Sequence, residues 1–173
     1  MPAPVLKTPR LTLRAHRRED FPEFAAMWGD PAVTRFIGGK PQTPEEAWGR
    51  LLRYAGHWAL LGFGYWAVLD KATGAFLGAT GFADYHRDLT PPLGDTPEAG
   101  WVFAPAAHGK GYASEALEAI HDWGRSHFET PQSACIIHPE NAASLRLASN
   151  FGYHETYRAE WRGQTAIVLH RNW

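Results

Sequence analysis

The sequence predicts a mixed α/β sheet with helices on its faces, and three observations carry that expectation. Seven strand-like runs are interspersed with four helical ones in the order βααβββαβαββ. Two hairpins, around Lys71-Ala72-Thr73-Gly74 and Arg162-Gly163, make their flanking strands antiparallel neighbours. A third pair of runs, 98–104 and 133–138, is joined by an amphipathic helix over 112–128, and such a crossover normally joins parallel strands with right-handed sense. Ligands of such sheets gather at the carboxyl ends of the parallel strands, which places the site between Ala104 and Ala113.

Each element has a local cause. Leu11, Leu13 and Ala15 alternate with Thr12, Arg14 and His16, the period of a half-buried strand. Asp20 ahead of Phe21-Pro22 reads as the N-cap of a helix that carries Phe24, Met27 and Trp28 and ends at Gly29. Thr43-Pro44-Glu45-Glu46 joins a capping hydroxyl to a first-turn proline and carboxylates, predicting a helix over 44–60 that Gly62 and Gly64 end. Runs 64–70 and 76–85 are the first hairpin, 88–97 is a proline-rich loop, and 98–105 is a buried strand stopped by proline. In the crossover helix Ala113, Ala116, Leu117, Ile120, Gly124 and Phe128 recur three or four apart. A strand over 133–139 follows, then a short helix capped by Asn141, then the closing hairpin.

The 173 residues are 45% apolar, 20% charged and 13% aromatic, which fits one folded domain over 1–173 and excludes a disordered or collagen-like chain. A formal charge of −1 supplies no field to attract nucleic acid or anionic lipid, so direct nucleic-acid binding is not expected. The lone Cys135, and an N-terminal MPAPVLKTPR without the apolar run of a secretory signal, lead to the expectation of a cytoplasmic protein. No stretch has the apolar length of a membrane span. Nothing suggests a metal: the nine histidines form no His-Glu-x-x-His and no Cys/His cluster. Cys135 sits in an apolar strand as a core residue, and no Gly-x-Ser-x-Gly marks a serine hydrolase.

His108-Gly109-Lys110-Gly111-Tyr112-Ala113 lies between a buried strand and a helix N-terminus. Its glycines admit backbone angles that leave successive N–H groups free, and the helix dipole adds about half a positive charge, so the loop suits a phosphate or diphosphate. Lys110 adds a full charge. A plain tight turn is the competing reading. Neither a Gly-x-x-x-x-Gly-Lys-Ser/Thr loop nor a Gly-x-Gly-x-x-Gly fingerprint is present, so nucleotide hydrolase and dinucleotide folds are unsupported.

At these residues the chain resembles the GNAT superfamily of acyl-coenzyme A dependent N-acyltransferases, and its RimJ/RimL-like branch in particular. The family signature Arg/Gln-x-x-Gly-x-Gly/Ala is matched at Gly111 and Ala113, with His108 departing at the first position. The likeness extends to Thr-Pro-Arg-Leu-Thr-Leu-Arg at 8–14, Glu-Ala-Gly-Trp at 98–101, Gly-Tyr-Ala-Ser-Glu-Ala at 111–116 and Asn-Ala-Ala-Ser-Leu-Arg-Leu-Ala-Ser-Asn-Phe-Gly-Tyr from 141, and so spans nearly the whole chain. It implies that coenzyme A rests its diphosphate on the amides of Gly109, Gly111, Ala113 and their neighbours Lys110, Tyr112 and Ser114. It implies too that the pantetheine arm pairs with the main chain of Trp101, Val102 and Phe103 and with Asn141, which on its own is a helix N-cap. His108 either donates to a phosphate or finishes the turn.

The resemblance implies acetyl transfer from acetyl-coenzyme A to a primary amine, directly within a ternary complex. A lysine-like amine costs roughly 4 kcal/mol to deprotonate at neutral pH and an α-amino group only about 1, so a base matters more for the former. Glu98 stands at the family's general-base position, and read alone it is also a solvated carboxylate at a strand edge. The family's tyrosine acid falls at Ala148, which leaves Ser144, suggested by the Rim-like branch, or Tyr153 and Tyr157. A thiolate lies about 1.5 pH units above neutrality, some 2 kcal/mol, so weak acid assistance suffices. Asp84 and His86 either face the acceptor or are solvated. Trp28, Phe36, the second helix and the Trp161 hairpin either line an acceptor cleft or pack the core. The branch favours a protein α-amine or a small-molecule amine as partner, and homodimers are common among relatives. A non-catalytic acyl-coenzyme A sensor or scaffold is the alternative, and an unrelated phosphate-binding domain a third reading.

Overall fold

The computed structural model describes residues 3–173. Eight strands form one sheet in the order β1-β2-β3-β4-β5-β6-β8-β7. They are β1 (Leu6–Lys7), β2 (Leu11–Arg14), β3 (Tyr65–Asp70), β4 (Phe76–Ala83), β5 (Glu98–Phe103), β6 (Gln132–Ile137), β7 (His154–Trp161) and β8 (Gln164–Asn172). The helices are α1 (Phe21–Trp28), α2 (Pro31–Thr34), α3 (Pro44–Leu61), α4 (Tyr112–His127) and α5 (Ala142–Asn150). All pairs are antiparallel except β5 with β6, which α4 connects in parallel as expected.

Three expectations need correction. There are five α-helices rather than four, because Asp30, whose side chain accepts the Ala32 amide, and Pro31 start the single turn of α2, too short for an apolar period. There are eight strands rather than seven, because β1 pairs only Leu6 and Lys7 with Leu13 and Thr12, too short a run for any periodicity to announce. Asp20 does not cap α1. Its carboxylate is captured from the other side, taking both terminal nitrogens of Arg14 at 2.8 and 2.7 Å and the amide of Arg17 at 2.7 Å. Elsewhere the local chemistry acts as read. Thr43 and Glu46 close a reciprocal capping box on α3, and Asn141 Oδ1 accepts the Ser144 amide at the start of α5. Arg162 and Gly163 take the paired positive φ values, 52° and 76°, that a two-residue hairpin favours.

The sheet buries both faces. On one, Phe24, Met27 and Trp28 of α1 and Leu51 and Tyr54 of α3 pack on Tyr65, Ala79, Ala83 and Val102. On the other, Ala116 and Ile120 of α4 pack on Trp66, Val68, Phe82 and Phe103. The alternation of Tyr65 and Trp66 along β3 thus assigns neighbouring side chains to opposite cores.

What positions the site is a break in the ladder. β5 pairs with β4 along its whole length, from Glu98 opposite Ala83 to Phe103 opposite Gly78. β5 and β6 share one register pair, Glu98 with Ala134, and the Ala134 amide donates to the Pro97 carbonyl at 3.0 Å. Beyond that point the two strands diverge, and Trp101 to Phe103 have no strand partner on the β6 side.

Candidate active site

Immediately beyond the diverging end of β5, a short 3-10 turn over Pro105–Ala107 leads to the glycine loop. Gly109 and Gly111 have φ of 72° and 77°, angles that side-chain-bearing residues resist. The consequence is a row of bare donors: among the described residues the amides of Gly109, Lys110, Gly111, Tyr112, Ala113 and Ser114 donate no hydrogen bond within the protein. Three of them also open α4, where the helix dipole is positive.

The loop is braced from behind. His108 Nε2 lies 2.8 Å from the Phe103 carbonyl, so the imidazole ties the loop to the end of β5 and finishes the turn. Arg10 Nη1 donates to the Lys110 carbonyl at 2.8 Å, and its guanidinium covers the Tyr112 ring at 4.7 Å. Glu115 holds Arg10 through both its amide (2.8 Å) and Nε (2.7 Å) and accepts the Thr8 hydroxyl. These contacts keep the Glu115 carboxyl below its usual range despite some desolvation. Tyr112 sends its hydroxyl to Asp70, leaving only its amide toward the loop.

The other side of the cleft is made of side chains. Glu98 is 5% exposed, so the solvated-edge reading is wrong. Arg87 grips it with Nε to Oε2 at 2.6 Å and Nη2 to Oε1 at 2.7 Å. The Arg87 guanidinium also lies 4.8 Å from the Tyr85 ring centre and 4.5 Å from that of Trp161. Glu98 holds that guanidinium above its ordinary pKa against the opposing effect of burial. Tyr65 reaches into the same group, and its hydroxyl occupies the space a Cβ on Gly100 would need, which is why β5 carries glycine there. Burial pushes the Tyr65 and Tyr85 hydroxyls well up, so both are neutral donors.

Between these two sides lies α5. Asn141 spends its carbonyl oxygen on the Ser144 amide, which leaves its NH2 group to donate outward. The Ser144 hydroxyl accepts the Trp101 indole N–H at 3.2 Å and therefore keeps its own proton to give. Ala148 is fully buried, and the two tyrosines nearby are committed elsewhere. The Tyr153 hydroxyl is buried between Ser133 and His121, each 2.8 Å away, and Tyr157 donates to the Pro91 carbonyl at 3.0 Å.

Other candidates fall outside the group. His86 turns to solvent, 92% exposed, with Asp84 Oδ2 at 3.3 Å, while its neighbours Tyr85 and Arg87 face Glu98. Cys135 is core, its thiol pushed up by burial. Phe36 packs on His138 just past β6, and Trp28 lies in the α1–α3 core. Among the described residues no three His, Cys, Asp or Glu side chains gather to hold a metal, and no helix is long and apolar enough to cross a membrane. Arg10, Tyr65, Tyr85 and Arg87 are the residues sequence reasoning missed. Only Arg10 lay in a motif already noted.

Residues 10–154 match the acetyltransferase (GNAT) domain. The chain belongs to the GNAT acetyltransferase family. This GNAT enzyme is 30% identical to YkkB of Bacillus subtilis (strain 168) over 174 residues, covering 97% of this chain and 96% of YkkB. The acetyltransferase from Agrobacterium tumefaciens str. C58 superposes with a TM-score of 0.85 at 26% identity, over 100% of this chain and 96% of that one. RimL, the ribosomal L7/L12 α-N-protein acetyltransferase solved in complex with coenzyme A, shares the fold, with a TM-score of 0.79 at 13% identity over 98% of each chain. The protein is accordingly an acyltransferase of the N-acetyltransferase kind, and GNAT acetyltransferases use acetyl-coenzyme A.

Proposed function

We propose that the chain transfers the acetyl group of acetyl-coenzyme A to a primary amine by direct attack within a ternary complex, with the α-amine of a protein or a small molecule as acceptor. The observation that carries this reading is the row of six unpartnered amides from Gly109 to Ser114 at the end of a strand that has lost its neighbour. Bare donors at a helix N-terminus fit a diphosphate, whose charge they would hold with Lys110 alongside. Trp101, Val102 and Phe103, unpaired toward β6, then suit the amide-bearing pantetheine arm, and the free NH2 of Asn141 reaches the same groove. In this reading His108 shapes the loop and does not bind phosphate.

Acetyl-coenzyme A supplies an activated thioester. The protein's part is to receive the amine's proton, hold the acceptor and protonate the departing sulfur. Glu98 is the base. Its carboxylate has about four lone-pair positions, and Arg87 occupies two, which leaves room for the amine or an ordered water. An α-amino group needs only about 1 kcal/mol to become neutral at pH 7, so it asks less of this carboxylate than a lysine would. An α-amine is also the acceptor named for RimL, whose fold this chain shares. Ser144, with its proton free beside Trp101, is the acid.

The test is thiol release from acetyl-coenzyme A across a panel of α-amines, lysine side-chain amines and polyamines, with Glu98→Gln as control. Turnover that is greatest on α-amines and collapses in the variant is expected. Coenzyme A binding without turnover on any amine would instead favour a sensor, and undiminished acetylation by the variant would remove Glu98 as base.

A further inference from the structure

Along one side of α3, Arg50 and Arg53 make no ion pair with any described carboxylate. Arg50 lies 3.9 Å from the Trp28 ring centre, donates to Gln42 at 3.2 Å and interacts with the Tyr54 hydroxyl. Arg53 lies 5.1 Å from the centre of Tyr85, the ring that Arg87 approaches to 4.8 Å, so the two guanidinium carbons are within about 10 Å of each other. One turn further on, the His57 ring sits 2.8 Å from the Arg53 carbonyl and 3.0 Å from that of Asp84. It thereby fixes α3 against the segment that carries Tyr85 and Arg87.

Three guanidiniums thus surround Tyr54 and Tyr85 with one buried carboxylate, Glu98, among them, in a protein whose overall charge is −1. Asp84 turns its carboxylate to the amide and ring of the solvent-facing His86 and makes no ion pair with any of the three guanidiniums. A second observation points the same way. The Trp28 indole N–H, beneath Arg50 and 2% exposed, has no hydrogen-bond partner. A buried N–H donor is normally satisfied, and this one, beside a guanidinium with no paired carboxylate, lacks an acceptor oxygen.

Resting on the acetyl-transfer reading, we infer that the acceptor carries an anionic group besides its amine, the amine directed to Glu98 and the anion held by Arg50 and Arg53. The class is an amine with a nearby carboxylate or phosphate, either a free amino acid or a peptide N-terminus followed by an acidic residue. A polyamine is the opposite case, since its additional ammonium groups meet only guanidiniums.

The experiment measures equilibrium binding in the presence of coenzyme A, alongside acetylation, for matched acceptors. One arm sets α-amino acids against their amides. The other sets tetrapeptides with Asp or Glu second against those with Asn or Gln. In at least one arm the anionic member is expected to bind about 10- to 100-fold more tightly, the worth of one or two charge-assisted hydrogen bonds. Arg53→Gln, at an exposed position, brings the ratio to within about twofold, Arg53→Lys retains part of it, and Arg50→Gln reduces it independently. Equal or absent binding in both arms, or discrimination unchanged in both glutamine variants, overturns the anion site. Discrimination in binding without turnover on any amine leaves the anion site standing and removes the acetyl-transfer reading.

Discussion

The two sides of the cleft are built from different material. On the proposed donor side, from Ala104 to Ser114, the groups on offer are bare amides with Lys110 alongside, and the side chains of Arg10, His108 and Glu115 brace the loop. The proposed acceptor side is made of side chains, with Arg87, Glu98, Tyr65, Tyr85 and Trp161 meeting from four separate segments of chain. Backbone cradles recognise what every acyl carrier of one kind shares. Side-chain cages recognise what differs between acceptors, and they change with single substitutions.

The sharpest way to separate the two sides is Glu98→Gln. Loss of a positioned base costs about 10²- to 10⁴-fold in kcat/KM for the amine, while KM for acetyl-coenzyme A stays within about twofold. Steady-state kinetics in both substrates checks this, and a matching rise in the acetyl-coenzyme A KM would merge the two sides.

Next in size is an effect of acid on stability, carried by two buried histidines outside both sides of the cleft. His16, packed against Tyr54, and His121, on the inward face of α4, are both lowered by burial to about 4 from an ordinary 6.5. The unfolded chain binds those protons below about pH 6.5 and the folded one only near pH 4. Stability is therefore full above pH 6.5, falls as pH drops toward 4 and then levels off for these groups. The gap corresponds to about 3 kcal/mol for each histidine. Urea unfolding across this range reads the slope, and His16→Phe should remove roughly half of it.

A smaller effect belongs to the donor side alone. Gly111→Val forces a β-branched residue to a φ of 77°, and distorting the cradle should raise the acetyl-coenzyme A KM about 10- to 100-fold with little change in the preference among amines. The smallest concerns the boundary between the sides. Ser144→Ala should lower kcat by no more than about 30-fold, because protonating the thiolate is worth about 2 kcal/mol at neutral pH. Unchanged turnover would take Ser144 out of the mechanism.

The same division explains what could be read before the structure. The glycine loop, the Asn141 cap and the 112–128 helix are local in sequence, so spacing announced them, along with the parallel pair that α4 connects. Asp20 was misread because the partner that claims it, Arg14, sits on the preceding strand and outcompetes a capping role. β1 escaped because two residues carry no period. On the acceptor side Glu98 was visible but its burial was not, since Arg87 reaches it across a loop without strand or helix periodicity and Trp161 arrives from the closing hairpin. Tyr65 shares a site with Gly100 only because β3 and β5 flank β4, a long-range fact that no local pattern encodes.

The most direct test of the whole account is to follow backbone amide resonances of labelled protein as coenzyme A is added. The six amides from Gly109 to Ser114 should show the largest shifts, and pantetheine, which lacks the diphosphate, should leave them nearly unmoved while still perturbing Trp101 to Phe103. Saturation by coenzyme A with those six resonances unchanged would contradict it.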